Sequence, residues 1–409
     1  MLGSRTPIVV AWKKNLYAIW LAELLALAGF STSMPIIPFY LQSLGVRDQH
    51  LLKLWVGVIQ SSASIALGLI APVWGRLADL HGRRPMLLRA MVGGMVVIAL
   101  MGFVTQPWQL LVLRTIQGLL TGTVGAATVL VASTVPESEL GYGMGLLQMS
   151  VFVGSSIGPM IGGFVADLVG YRFTFFVTAS MLGLAALIVS TVVREEFVPK
   201  KREGSFVRNL MPDFSTVFQS RTLLMLIIVA FTDQFAGSVV GPILPLYIQR
   251  LTTDVQRLAT TTGIILGLGA FSAAITSASV GRISYRIGYA RTLITCLFGA
   301  AVMYLAQAFV ATTGQLLVLR IAGGFFLGGT MPSVNALIAR NTDRSTQGSV
   351  YGINTAVASA GAALGPALGA TVAILWGFPA AFVLTAIILS VTASGVARVT
   401  RSNRRALRR

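Results

Sequence analysis

The sequence predicts an all-α membrane protein whose twelve spanning helices form two pseudo-symmetric six-helix bundles. Three observations carry that expectation. Of 409 residues, 55% are hydrophobic and 11% are charged, against about 25% charged in an ordinary soluble domain. Apolar runs long enough to cross a bilayer core of roughly 30 Å, which takes about 20 helical residues, recur along the chain. The second half also repeats the first at a nearly constant offset.

In chain order the runs lie at 16–41, 54–78, 86–104, 109–135, 143–168, 172–193, 222–248, 259–284, 292–312, 315–339, 350–375 and 379–397. Spans and short loops consume nearly the whole chain, which leaves no room for a soluble catalytic domain. The opening MLGSRTPIVVAWKK is too short and polar for a signal-peptide core. The "ALA" at 26–28 resembles a cleavage site, but the repeat requires that helix intact.

The repeat fixes the organisation. PIIPFYLQ (35–42) returns as PILPLYIQ (242–249), GRLADLHG (75–82) as GRISYRIG (281–288), QLLVLR (109–114) as QLLVLR (315–320), and GSSIGPMIGG (154–163) as GAALGPALGA (361–370). These segments sit in the first, second, fourth and fifth span of each half. Residues 1–193 are therefore expected to form one bundle and 222–398 the other. The charged 194–221, with Pro199, Gly204 and Pro212, is a cytoplasmic linker, and 399–409 is a basic tail.

The formal charge of +18 would suggest nucleic acid in a soluble protein, but its distribution is topological. Arg47, Lys53, Arg172, Arg250 and Arg257 occupy alternate connections, and Arg114 and Arg320 lie within spans. All other Lys and Arg residues fall on the side of the termini. The positive-inside rule then places both termini in the cytoplasm, and the tail gains contact with anionic headgroups. A lone Cys296 in a span excludes disulfides and thiolate metal sites within one chain. His50 and His81, both outside the spans, make a metal site or a buried histidine switch unexpected. There is no phosphate-binding loop for ATP, so work must come from a gradient.

Three motifs stand out. GRLADLHGRRP (75–85) joins the second and third spans; Gly75 and Gly82 suit a tight turn, and Asp79 can pair with Arg83 across it. In the second half Tyr285 and Tyr289 replace that pair. In LVLRTIQGLLTGTVGAA (111–127), helical spacing puts Arg114, Gln117, Gly118, Thr121, Gly122 and Gly125 on one polar or small face, expected to line a central cavity. The competing expectation is that Arg114 snorkels to the headgroups. In GSSIGPMIGG, Gly154, Gly158 and Gly162 at steps of four allow close helix approach, and Pro159 offers a bend.

Over essentially its whole length the chain resembles the major facilitator superfamily, specifically its twelve-helix drug:proton antiporters. The resemblance implies alternating access around a midplane site between two six-helix repeats. It also implies a gating role for the 75–85 loop, whose aspartate engages the start of the eleventh span in that family. The arginine of the fourth span would serve proton coupling, and the fifth-span motif would be the antiport-associated hinge.

Within the spans the clear acidic residues are Glu23 and Asp233; Asp167 closes the fifth run as an interfacial or capping residue. Glu23 lies twelve positions before Pro35 and Asp233 nine before Pro242, so they sit about one turn apart in register. A carboxylate withdrawn from water favours its protonated form, which is what a reversible proton carrier requires. The expected coupling set is Glu23, Asp233, Arg114 and Gln117. The alternative for either acid is an ion pair or hydrogen bond holding helices together.

Leu27, Phe30, Met34, Gln148, Phe152, Asn335 and Asn354 form the expected cavity lining. Such surfaces adapt to varied shapes and can hold organic cations by cation–π contact. The sequence thus predicts a proton-coupled plasma-membrane exporter of small amphiphilic compounds. It should need no cofactor, metal or nucleic-acid partner, and should act as a monomer in the bilayer. Alternatives are an exporter of one metabolite, or a non-transporting sensor or scaffold.

Overall fold

A computed structural model describes residues 8–136, 139–195, 217–218, 220–252, 256–342 and 347–406. Among them are twelve stretches long and apolar enough to span a membrane. The first half comprises α1 (Ile8–Ser33), α2 (Ile37–Ser43), α3 (Gln49–His81), α4 (Arg83–Met101), α5 (Pro107–Leu120), α6 (Thr123–Thr134), α7 (Leu140–Val169) and α8 (Tyr171–Val192). The second comprises α9 (Arg221–Val240), α10 (Leu244–Leu251), α11 (Leu258–Ile287), α12 (Tyr289–Gln307), α13 (Thr313–Leu327), α14 (Thr330–Arg340), α15 (Gln347–Leu375) and α16 (Phe378–Ala406). An even number of spans brings both ends of the described chain to one face, called here the terminal face; the opposite one is the far face.

Four spans are interrupted, one in each corresponding place. The first bends at Met34–Ile36 between α1 and α2, the seventh at the 3-10 turn Gly241–Ile243 between α9 and α10. Pro35 and Pro242 each lack the N–H that a continuous helix would use there. The fourth breaks at Thr121–Gly122, where Thr121 is extended and Gly122 has φ +119°, a conformation that favours glycine. The tenth breaks at Gly328–Gly329. The sequence presented these as continuous runs, because a local break leaves hydropathy unchanged.

Other boundaries also moved. α3 runs to His81, so Gly75 lies inside a helix and not in a turn; the turn is Gly82 alone, with φ +98°. Lys53 belongs to α3 and is buried, where the sequence placed it in a loop. The basic stretch from 399 continues α16 to Ala406 without forming a separate segment. Linker residues 196–216 and 219, the surroundings of Gly75 and the side chain of Asp79 lie outside what the structure describes.

Corresponding helices pack alike in the two halves. α1 packs on α7 and α8, and α9 on α15 and α16; α3 packs on α5, and α11 on α13. Short α2 is pinned by Tyr40, whose hydroxyl donates to the Met101 carbonyl at 2.9 Å; Tyr247 in α10 does the same to Gln307 at 3.1 Å. Two seams join the halves, α7 against α11 and α3 against α15.

Small residues bring the seams close. A Cβ added at Gly57 of α3 would lie 3.0 Å from the Pro366 carbonyl oxygen of α15. One at Gly263 of α11 would collide with the Pro159 carbonyl oxygen of α7. Each seam therefore seats a glycine on the carbonyl of the mid-helix proline in its partner. Both contacts lie in the half of the molecule nearer the far face.

Candidate functional site

A cavity of about 860 Å³ lies between the halves. Leu27, Phe30 and Met34 border it from the first span, Gln60 and Trp74 from α3, and Arg114, Gln117, Thr121 and Thr123 from the broken fourth span. Gln234 of α9 and Thr355 and Ser359 of α15 contribute from the second half. The lining continues to Arg83 and Arg89 on the first two turns of α4, at the terminal face.

Three arginines border this space, and among the described residues no carboxylate does. Arg114 is 6% exposed. Its Nη1 donates to Gln117 Oε1 at 2.9 Å, while Nε and Nη2 find no partner among the described residues. It does not snorkel; a three-residue step on one helix face ties it to Gln117 and turns it inward. Arg89 stacks 3.4 Å over the Trp74 ring and leaves Nε and Nη1 without a partner among the described residues. Trp74 is itself held by Nε1 donating to the Leu119 carbonyl at 2.7 Å. Arg83 is paired with Glu195 at 3.9 Å, so among the described residues the positive potential at this lining comes from Arg114 and Arg89.

The two intramembrane carboxylates stand in matching settings. Thr123 donates to Glu23 Oε1 at 2.8 Å, and Thr330 donates to Asp233 Oδ1 at 2.8 Å. Thr123 and Thr330 are separated by 207 residues, the repeat offset, and each is the first residue after the break in its span. The acids reach equivalent threonines despite their shifted register. They differ in access: Glu23 is fully buried and its Oε2 lacks a partner, whereas Asp233 is half-buried.

The other expected residues fall in different places. Gln148 and Asn335 are exposed, Phe152 is half-buried and Asn354 is buried, and none of the four borders this cavity. Gly154, Gly158 and Gly162 form a packing stripe: added Cβ atoms would strike α1 at Ala28 and Leu24, at Ala28 and Ser31, and at Thr32. α7 runs unbroken through Pro159. Gly361, Gly365 and Gly369 lie likewise on α9 at Phe231, Phe235 and Val239. Gly82 forms the turn of the 75–85 loop, and Arg83 contacts Glu195: the Glu195 carboxylate accepts from the Arg83 and Arg84 backbone N–H groups at 2.9 and 2.7 Å, capping α4.

Sequence reasoning missed how the far face closes. The Asp167 carboxylate of α7 accepts from the Ala259 and Thr260 N–H groups at 3.2 and 2.7 Å, capping α11 across the seam. Gln42 and Gln249, equivalent in the repeat, exchange amide hydrogen bonds at 2.8 and 3.2 Å. Lys53 donates to the Ala373 carbonyl of α15 at 2.8 Å and lies 4.7 Å over the Phe378 ring. Ser61 accepts from the Ala367 N–H at 3.1 Å. The repeat offset was the available signal for the glutamine pair; the backbone acceptors and donors of the other contacts have no signature in the sequence.

A cavity between two related bundles, reached from one membrane face and sealed at the other, is the architecture of a multi-pass transporter. The chain belongs to the Major Facilitator Superfamily, whose model matches residues 19–313 and 226–408. Among its relatives, the "Multidrug resistance protein MdtG" of Proteus mirabilis is 36% identical over 379 residues, covering 93% of this chain and 94% of that protein. The protein of the same name from Salmonella typhimurium is 34% identical over 384 residues, covering 94% of each. The fold is shared with the solved human organic anion transporter MFSD10 (TM-score 0.71, 19% identity, 94% of this chain and 99% of that one). It is also shared with the nucleoside transporter NupG (TM-score 0.79, 12% identity, 94% and 99%). The chain is thus a twelve-span membrane transporter of small molecules and not an enzyme.

Proposed function

We propose that this transporter couples inward proton movement to the export of small amphiphilic compounds, by alternating access between its two halves. The observation that carries the reading is the pair of intramembrane carboxylate–threonine contacts at the breaks of the fourth and tenth spans, beside a cationic, largely apolar cavity. A carboxylic acid held only by a hydroxyl has no fixed cation to keep it ionised, so proton binding and release are both open to it. The terminal face is taken as cytoplasmic from the charge bias, in the plasma membrane or its bacterial inner-membrane equivalent. The closed far face then makes this an inward-open form, ready to receive cytoplasmic compounds.

The name of the bacterial relatives supports a broad substrate range. The arginines favour amphiphiles that carry negative charge over lipophilic cations. Single-metabolite export would need a denser set of fixed polar partners than Gln60, Gln117 and Gln234 provide.

The test is reconstitution in liposomes with an imposed pH gradient, recording lumenal pH and transport as anionic and cationic amphiphiles are added. Substrate-dependent proton flux is expected, accelerated when protons move opposite to substrate. Glu23→Gln and Asp233→Asn should lose gradient-driven transport while still inserting. Normal gradient-driven transport in both single variants and the double variant would reject these residues as proton carriers. Absence of any substrate-dependent proton flux would favour a sensor or scaffold.

A further inference from the structure

The contact between Asp233 and Thr330 holds more than a carboxylate and its donor. The Thr330 hydroxyl oxygen lies 2.8 Å from Asp233 Oδ1 and 2.6 Å from the carbonyl oxygen of Leu327, and Thr330 is fully buried. A hydroxyl has one hydrogen to donate. It cannot satisfy both acceptors at once.

Which acceptor receives it depends on the acid. When Asp233 is ionised, its oxygens only accept, and the Thr330 hydrogen is drawn to the charged group, the stronger acceptor. The Leu327 carbonyl then loses it. When Asp233 is protonated, its own O–H can donate to a lone pair of the Thr330 oxygen, and the Thr330 hydrogen turns to Leu327. No bond is made or broken in the protein beyond the one proton gained by the carboxylate.

Leu327 is the last residue of α13, and its carbonyl is among those that a helix end leaves outside the intrahelical ladder. Gly328 and Gly329 follow, then α14 begins at Thr330. The break is tightly seated: a Cβ at Gly328 would collide with the Ala273 carbonyl of α11, and one at Gly329 would lie 2.5 Å from Cys296 Sγ of α12. Whether Thr330 ties back to Leu327 therefore bears on the angle between α13 and α14 at the joint where the tenth span meets α11 and α12.

We propose that Thr330 is a positioning residue that transmits the protonation state of Asp233 to the α13–α14 break, by switching its single hydroxyl hydrogen between the carboxylate and the Leu327 carbonyl. This rests on the proton-coupling reading above. Thr123 has no such second acceptor among the described contacts: it donates to Glu23 and not to the Leu120 carbonyl, the counterpart of Leu327 at its own break. The switch is thus a property of the second half.

Other ionisable groups near Asp233 are few. The Cys296 thiol of α12 interacts with it electrostatically. α15, which packs on α9, carries no charged residue. The cations of α14 and α16, Arg340 and Arg398 onward, lie in their last turns toward the terminal face, as does Arg221 at the start of α9.

The experiment is the pH profile of transport in liposomes with equal pH on both sides, for the full chain and for Thr330→Ser, Thr330→Val and Ser333→Ala. Ser333 donates to the Gly329 carbonyl at 2.7 Å and controls for losing a hydroxyl at the same joint. Thr330→Ser should keep the full-chain profile and Ser333→Ala its pH dependence. Thr330→Val should flatten it by about fivefold in the ratio of rates across the transition, the worth of one hydrogen bond. Should Thr330→Val fail to insert, Asp233→Asn supplies the second measure. Its amide N–H can donate to Thr330 as the protonated acid does, so its profile should be flat and Thr330→Ser should change nothing further.

A wild-type profile retained in Thr330→Val, or in Asp233→Asn, would overturn the switch while leaving proton flux in the full chain intact. Loss of proton flux in the full chain itself would overturn both readings.

Discussion

Replacing Asp167 with alanine should open the far face. The carboxylate holds two backbone N–H groups in the first turn of α11, at 3.2 and 2.7 Å, across the α7–α11 seam. Bonds to a charged acceptor contribute about 1.5–3 kcal/mol each, and the helix N-terminus adds about 0.3–1 kcal/mol. Asp167 is half-exposed, so solvent screens it and roughly one full bond's worth survives. A loss of about 2 kcal/mol shifts the closed-to-open ratio of the far face about thirtyfold. The assay is a distance measurement between spin labels at Phe103 and Phe309, which are 68% and 77% exposed on far-face connections of different halves. Labels would be placed on cysteines in a Cys296→Ser background, since Cys296 is the sole native thiol. Asp167→Ala should add a longer-distance population, and Asp167→Asn, which keeps one acceptor, a smaller one. An Asp167→Ala distribution identical to the parent would refute the argument that this carboxylate holds the seam shut.

Three further outcomes follow from other contacts. Thr123→Val removes the only side-chain hydrogen bond to the fully buried Glu23 among the described residues; melting in detergent should show a loss of about 1–3 kcal/mol, and gradient-driven transport should fall with it. Gly162→Ala should depress the melting temperature, because its Cβ would collide with the Thr32 carbonyl; Gly145→Ala, with nothing within 4 Å, should leave it unchanged. Such overpacking costs about 1–3 kcal/mol. Arg114→Ala and Arg89→Ala should weaken transport of anionic amphiphiles about tenfold or more, the worth of a buried charged partner, while Arg47→Ala, far from the cavity on the α2–α3 connection, should not; competition assays in liposomes read the difference.

The twelve spans, the repeat and the inward-facing Arg114 were legible because each rests on patterns that residue identity carries: hydropathy length, recurring segments, and a polar helical face. The breaks were not. Gly122 reads like any packing glycine until its backbone angle is known. Thr123 and Thr330 share the repeat offset, but a threonine in an apolar helix commonly bonds its own preceding turn, so nothing in the letters singled out a carboxylate 100 residues away. Lys53 read as a loop residue because buried lysines are rare, and its acceptor is a carbonyl that every residue possesses. Asp167 was recognisable as a cap, but its helix belongs to the other half of the chain. Gly75 and Gly82 looked alike in sequence, and only Gly82 needs the freedom of a turn.

The reciprocal amide pair of Gln42 and Gln249 has an implication for origin. A residue that meets its own counterpart through matched bonds marks a two-fold axis, the signature of an isologous dimer. The two seams, each setting a glycine against the proline carbonyl of the other half, obey the same axis. These are the contacts that two identical six-helix chains would make on meeting in a bilayer. The present protein holds that two-fold meeting place within one polypeptide, and its halves differ around it: the first pairs Arg114 with Gln117, and in the second the Thr330 hydroxyl faces two acceptors.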